Sequence, residues 1–134
     1  MKYHTFLPKF HDQIRQRSKQ TTIRGRTLVR PGEVFALRHW AGRAYRSPMG
    51  VLGTATCQSL HRLTFCGDGM LMAGMESAAG WSAVKGHDAE RVAVRDGFAS
   101  LAAMREHFLA AGHVLPFSGI LITWGDTFQA TDPT

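Results

Sequence analysis

The sequence contains little cysteine and no long apolar run. Two cysteines, Cys57 and Cys66, stand in 134 residues, which argues against a disulfide-rich secreted scaffold and favours reduced thiols. No apolar run approaches the roughly 20 residues of a membrane helix. The first ten residues lack the apolar core of a signal peptide. We therefore expect a cytoplasmic protein that does not contact a membrane.

Several signatures of common enzymes are also missing. The seven histidines show no His-x-x-x-His spacing, and neither a glycine-rich phosphate loop nor a Ser/His/Asp order stands out. Cys57, His61 and Cys66 match no common zinc spacing, even with His39 suggested as a fourth ligand. We therefore expect no metal and no other cofactor.

Positive charge is abundant and unevenly distributed. The formal net charge is +6 at pH 7. Residues 1–50 hold eleven Lys and Arg against two acidic residues, whereas residues 51–134 hold five against eight. Such a concentration attracts phosphate, so we expect a nucleic acid or a nucleotide as the partner. The alternative is a solvated basic face that only keeps the protein in solution.

The apolar pattern predicts an α+β fold in a single domain, with a core at about 5–125 and a polar, frayed tail at 126–134. Helices are expected at 8–17, from a cap at Asp88 to Arg95, and from a cap at Ser100 to Gly112. Strands are expected at 20–26, 33–40, 49–60, 70–73 and 119–124, with a short first strand at 5–6 and a segment 61–66 that continues or pairs with 49–60. Loops are expected at 41–47 and 74–86. Five or six such strands with flanking helices fit a small closed or half-closed β-barrel.

The segment Lys19–Arg24 combines a lysine, two hydroxyls and an arginine between the first helix and a strand. We interpret it as the floor of a pocket, with Thr21 and Thr22 as its hydroxyls. In an extended strand, successive side chains point to opposite faces. Lys19 can therefore meet Thr22 only if it lies ahead of the strand proper.

Four further residues are candidates for ligand binding. Arg24 and Arg26 are expected on one face of the strand, where arginine can pair with phosphate or stack on a base. Tyr45 and Arg46 lie in the loop 41–47 and can supply a stacking platform and a phosphate contact. The alternative is that Tyr45 is half-buried and the arginines are solvated.

Five motifs in this order carry a family resemblance. They are Lys19-x-x-Thr22-Ile23-Arg24, the turn Pro31-Gly32-Glu33 before a strand ending at Trp40, Tyr45-Arg46-Ser47, Asp96-Gly97-Phe98-x-Ser100 and the closing strand Gly119–Trp124. Together they resemble the ASCH domain, a branch of the PUA-like superfamily, over about residues 5–125. The resemblance implies a PUA-like β-barrel with flanking helices and a cleft on one side, where related domains bind RNA or modified bases.

The same resemblance implies possible activities. Some small ASCH proteins are amidohydrolases that remove the acetyl group from N4-acetylcytidine, and nuclease activity has been proposed for others. The amidohydrolases depend on a lysine, a threonine and a glutamate. The first two correspond to Lys19 and Thr22, while the acid falls on Asp96 by position, with Glu90 as a second candidate. Our leading hypothesis is an ASCH protein whose basic cleft binds RNA or a modified nucleoside or nucleotide. The alternatives are an amidohydrolase and a ribonuclease.

An amidohydrolase would divide the chemistry among three side chains. Thr22 attacks the acyl carbon, Lys19 accepts its proton, and Asp96 assists the leaving amine. Lys19 can act as a base only in a desolvated pocket that lowers its pKa. The alternatives are that Lys19 binds phosphate without catalysis and that Thr22 is an ordinary strand residue.

Overall fold

The computed structural model describes residues 1–65, 70–77, 80–82 and 88–131, with residues 71–73, 81 and 82 described through their backbone alone. The strands are β1 (Tyr3–Thr5), β2 (Thr21–Arg24), β3 (Val34–Trp40), β4 (Met49–Thr56), β5 (Ser59–Phe65), β6 (Met70–Ser77), β7 (Gly80–Ser82), β8 (Phe117–Thr123) and β9 (Gln129–Ala130). The helices are α1 (His11–Arg15), which follows a 3-10 turn at Pro8–Phe10, α2 (Ala89–Arg95) and α3 (Leu101–Ala110). The predicted α+β class is confirmed.

The strands form two sheets. The first has the order β1-β3-β4-β9, in which β1 runs parallel to β3. The second has the order β2-β8-β5-β6-β7 and is antiparallel throughout. No pairing among the described strands joins the two sheets, so these residues show two open sheets where one barrel of five or six strands was expected.

The chain passes from one sheet to the other between β4 and β5. The N–H of Cys57 still donates to the main-chain oxygen of Glu33, just before β3, whereas the N–H of Gln58 donates to that of Thr123 in β8. The expected long strand 49–60 is therefore divided at this point. Its β-branched residues Val51, Thr54 and Thr56 suit a strand in either sheet, so they do not reveal the crossing.

The second sheet lies between the first sheet and the helices α2 and α3. One core cluster joins the facing sides of both sheets and includes Phe6, Phe35, Leu37, Leu60, Ile122 and Trp124. The other cluster joins the far side of the second sheet to α2 and α3 and includes Ile23, Leu63, Leu121, Ala93, Met104 and Phe108. Leu121 and Ile122 belong to different clusters because neighbouring strand residues face opposite ways. The first sheet, the second sheet and the helices α2 and α3 thus form three successive layers.

Two predicted irregular regions contain strands. The tail prediction is wrong for residues 126–131, because β9 pairs with β4 and Phe128 is only 2% exposed. The predicted loop 74–86 is wrong where β6 continues to Ser77 and β7 pairs with it. Residues 78–79, 83–87 and 132–134, together with Cys66, lie outside the described residues.

The helix ends follow their local signals. The side chain of Asp88 accepts from the N–H groups of Glu90 and Arg91, and that of Ser100 accepts from Ala103, as capping residues do. Gly97 and Gly112 follow α2 and α3 with φ of +100° and +92°, a conformation that glycine adopts without strain. Within the described residues, no helix has the length and apolar character needed to cross a membrane.

Candidate functional site

A cavity of about 310 Å³ opens where the edges of the two sheets meet the helices. The strands β1 and β2 each lie at the edge of their own sheet, so a gap remains between them. We call this cavity the aromatic pocket. Its lining comprises Thr5, Phe6, Leu7, Phe10, Lys19, Thr22, Ile23, Arg24, Gly25, Asp96, Phe98, His107, Phe108, Ala111, His113 and Phe117.

Lys19 and Asp96 form a buried pair in this pocket, with exposures of 2% and 3%. The Lys19 Nζ donates to the main-chain oxygen of Asp96 and lies 3.4 Å from its Oδ1. The Thr21 hydroxyl donates to the same Oδ1 at 2.8 Å. Lys19 precedes β2 and Asp96 ends α2, so the prediction that the lysine lies ahead of the strand is confirmed.

Burial dominates the electrostatics of the pair. Desolvation lowers the pKa of Lys19, and the charges of Arg24 and Lys9 lower it further, while Asp96 opposes the shift. Desolvation also raises the pKa of Asp96, against the effects of Lys19, Thr21 and Arg24. Both shifts favour the uncharged forms, so the free-energy gap between the ion pair and the neutral pair is narrowed.

Thr22 and Arg24 lie side by side in the pocket. The Arg24 Nε donates to the Thr22 Oγ1 at 3.1 Å, and its terminal nitrogen donates to the main-chain oxygen of Thr5 in β1. The guanidinium therefore bridges the edges of the two sheets. Burial lowers the pKa of Arg24, which still leaves arginine protonated at neutral pH.

Aromatic rings surround these cations. The Lys19 Nζ lies 4.5 Å from the ring centre of Phe10, and the Arg24 guanidinium lies 4.9 Å from that of Phe6. Lys9 lies over Phe10 and Phe98 at 5.0 and 5.5 Å. Such contacts stabilise cations away from water. The pocket thus combines flat apolar walls with positive charge.

His107 is a pocket residue that the sequence prediction missed. Its Nδ1 accepts from the Lys9 ammonium at 2.8 Å, so the neutral ring carries its proton on Nε2. Burial lowers its pKa, as do Lys9, Lys19 and His113. No motif in the sequence pointed to it: it reaches the pocket from α3, one helical turn before Ala111, which also lines the pocket.

The two candidate acids are well separated. Asp96 lines the aromatic pocket, whereas Glu90 is exposed and its Oε2 accepts from the N–H of Leu101 at the start of α3. Glu90 therefore accepts a hydrogen bond from the first turn of α3, and Asp96 is the candidate acid that lines the aromatic pocket. Thr21 touches Asp96 but does not appear in the pocket lining.

Three predicted binding residues lie elsewhere. The expected strand 20–26 ends at Arg24, so Arg26 is exposed and lines a separate groove. Tyr45 is 87% exposed in the loop after β3, with its ring 5.0 Å from that of Trp40. Arg46 is exposed in the same loop.

Comparison with protein-family models, with curated proteins and with solved structures gives no match for this chain. Within the part of the chain that the structure describes, no group of three or more His, Cys, Asp or Glu side chains could hold a metal ion. What the site can do therefore follows from Lys19, Thr22, Arg24 and Asp96 and from the rings around them.

Proposed function

We propose that this protein is a PUA-like ASCH domain whose aromatic pocket binds the base of RNA or of a modified nucleoside. The observation that carries the proposal is the convergence of Lys19, Thr22 and Arg24 on a cavity walled by phenylalanines. Rings offer stacking to a base, while hydroxyl, carboxylate and cationic groups offer hydrogen bonds to its edge. The motif resemblance to ASCH domains supports the same class of ligand.

The size of the pocket favours a small ligand. Ligand cavities in proteins span roughly 300–1,000 Å³, and about 310 Å³ lies at the lower limit. A nucleobase with part of its sugar suits such a volume better than a dinucleotide does. Lys19, Arg24 and the nearby Lys9 outnumber Asp96, so an electron-rich base edge or a nearby phosphate is favoured over a cationic ligand.

Two arginines two positions apart provide a matched test of the binding proposal. Calorimetry measures the affinity for cytidine, N4-acetylcytidine and uridine. We expect Arg24→Ala to weaken nucleoside binding about tenfold, since it removes charge-assisted donors from the pocket. Arg26→Ala removes the same charge outside the pocket and should leave the affinity unchanged. Equal effects of the two substitutions, or no binding to any nucleoside, would contradict the proposal.

A second candidate function is the removal of the acetyl group from N4-acetylcytidine. It is favoured by one observation: Lys19, Thr22 and Asp96 line the same cavity. In the neutral form of the buried pair, Lys19 is a base that can accept the Thr22 proton, and Asp96 is an acid that can protonate the leaving amine as the acetyl group moves to the Thr22 oxygen. Water then hydrolyses the acetyl ester, which releases acetate and restores the Thr22 hydroxyl. The Arg24 Nε beside the Thr22 Oγ1 would stabilise the developing alkoxide.

The enzyme hypothesis is tested by following cytidine release from N4-acetylcytidine. Thr22→Ser keeps the hydroxyl and should retain turnover, whereas Thr22→Val keeps the shape and should abolish it. Lys19→Ala should also abolish turnover in a protein shown to be folded. Turnover that survives Thr22→Val would remove this assignment. Cleavage of RNA in parallel reactions would instead favour the ribonuclease alternative, for which His107 and His113 line the pocket.

A further inference from the structure

A separate groove of about 690 Å³ is lined by the same two chain segments that contribute to the aromatic pocket. The aromatic pocket uses residues 5–7 of one segment and 22–25 of the other. The second groove uses residues 1–4 and 26–29 of the same segments. The first segment contains β1 and the second continues from β2. The two cavities therefore follow one another along the opening between the sheets.

Side-chain contacts hold the two segments together along this opening. The His4 Nε2 and the Thr27 Oγ1 are 2.8 Å apart and hydrogen-bonded in the second groove. Arg24 donates to the main-chain oxygen of Thr5 at the boundary with the aromatic pocket. Val29 is buried at the far end. These contacts fix the spacing of the segments, so the second groove is preformed.

The second groove offers positive charge and an aromatic ring. Lys2 and Arg26 line it, and no acidic side chain is among its described lining residues. The Lys2 ammonium is paired with Glu33 at 2.8 Å, so Arg26 is the main charge available to a ligand. The Tyr3 side chain is 44% exposed and its ring lies 4.4 Å from the Arg38 guanidinium.

We infer that the ligand of the aromatic pocket is a nucleotide within a single-stranded oligonucleotide, whose neighbouring nucleotide occupies the second groove. The neighbouring base stacks on Tyr3 and its phosphate pairs with Arg26. Single-stranded recognition combines a cationic track with aromatic platforms, and the second groove supplies both next to a base-sized pocket. This inference rests on the proposed base-binding function.

The test compares ligands of increasing length on the full chain at low salt. Cytidine, a cytidine dinucleotide and a cytidine tetranucleotide are titrated by calorimetry. We expect the tetranucleotide to bind about tenfold tighter than cytidine, and Arg26→Ala or Tyr3→Ala to remove about tenfold of that affinity. The same substitutions should leave cytidine affinity within about twofold. Arg91→Ala removes an exposed arginine from α2, outside both cavities, and serves as the matched control.

The outcomes separate the two proposals. If cytidine binds with Arg24-dependent affinity but the longer ligands bind no more tightly, the inference fails and the proposed function stands. Equal effects of Arg26→Ala and Arg91→Ala would also overturn the inference. If none of the three ligands binds, the proposed function fails together with it.

Discussion

At the scale of single residues, the candidate site and the stability of the fold share the same side chains. Lys19 and Asp96 are both almost completely buried and they link the start of β2 to the end of α2. Removing one partner leaves the other charge buried without compensation. Loss of function in either single variant therefore needs a parallel measurement of folding.

Asp96→Asn should lower the free energy of unfolding by about 3 kcal/mol, because it leaves the Lys19 ammonium buried beside a neutral amide. Urea denaturation at pH 7 measures the change. Asp12→Asn is the matched control: its carboxylate is exposed and 3.8 Å from Arg15, so the expected loss is below about 0.5 kcal/mol. The double variant Lys19→Met/Asp96→Asn should lose less than the sum of the single variants. An Asp96→Asn protein as stable as the control would contradict the buried pair.

His4 should make the fold sensitive to acid. Burial, together with the charge of Arg24, lowers its pKa from 6.5 to about 4. Between these values the unfolded chain binds a proton that the folded protein does not, so stability is full above pH 6.5 and falls as the pH drops towards 4. Allowing for partial exposure, we expect a loss of about 1–2 kcal/mol.

The variant His4→Gln isolates this contribution. Glutamine can still hydrogen-bond to Thr27 but does not titrate. Because burial also lowers the pKa of His61 and His107, the variant should keep part of the acid sensitivity. The free energy of unfolding, taken from denaturation curves at pH 7.5 and pH 4.5, should change less in His4→Gln than in the original protein. Equal differences would show that His4 is not the group responsible.

At the scale of elements, local sequence signals were sufficient to predict where the helices end. They were not sufficient to predict which strands pair. Asp88, Ser100, Gly97 and Gly112 act through backbone groups a few residues away, so their roles could be predicted from the sequence. The division between β4 and β5 depends on which distant strand each residue meets. Phe128 packs into the core and fixes the tail, although the polar residues around it in the sequence predicted a frayed tail. These outcomes depend on tertiary contacts that no short window contains.

Gly97→Ala should destabilise the protein more than Gly112→Ala. Both glycines have positive φ and follow a helix, so each substitution pays backbone strain of about 1 kcal/mol. A Cβ at Gly97 would also lie 2.3 Å from the Gln13 Oε1 and 3.3 Å from the Lys19 Cδ, whereas one at Gly112 meets nothing within 4 Å. We expect a further loss of about 1–2 kcal/mol for Gly97→Ala. Thermal denaturation compares the two, and equal losses would contradict crowding beside Lys19.

Only those residues of the candidate site that belong to one short motif could be predicted from the sequence. Lys19 and Thr22 flank the start of β2, so their spacing along the chain becomes proximity in the pocket. Arg26 was expected beside Arg24, but β2 ends before it and the two arginines line different cavities. His107 reaches the pocket from α3 through long-range packing, which explains why spacing along the chain did not identify it.

At the scale of the whole molecule, the uneven charge of the sequence becomes an uneven surface. The basic first part of the chain supplies Lys19 and Arg24 to the lining of the aromatic pocket, with Lys9 nearby, and it supplies Lys2 and Arg26 to the second groove. The more acidic later part forms α2, α3 and most of the second sheet. Asp96 is the exception, because it enters the basic region as the partner of Lys19. Four cationic side chains from the first part of the chain thus line the two cavities.

This concentration predicts a salt dependence that differs between ligands. Each phosphate that is neutralised on a single strand contributes about −0.7 to the slope of log K against log salt. The affinity for a cytidine tetranucleotide should therefore fall steeply between 50 and 200 mM salt, whereas that for free cytidine, which has no phosphate, should stay nearly constant. Arg26→Ala should make the tetranucleotide slope shallower by about 0.7, since it removes one phosphate contact, and Arg91→Ala should leave it unchanged. A flat response for the tetranucleotide would mean that stacking alone holds the ligand and that the basic part of the chain plays no part in binding.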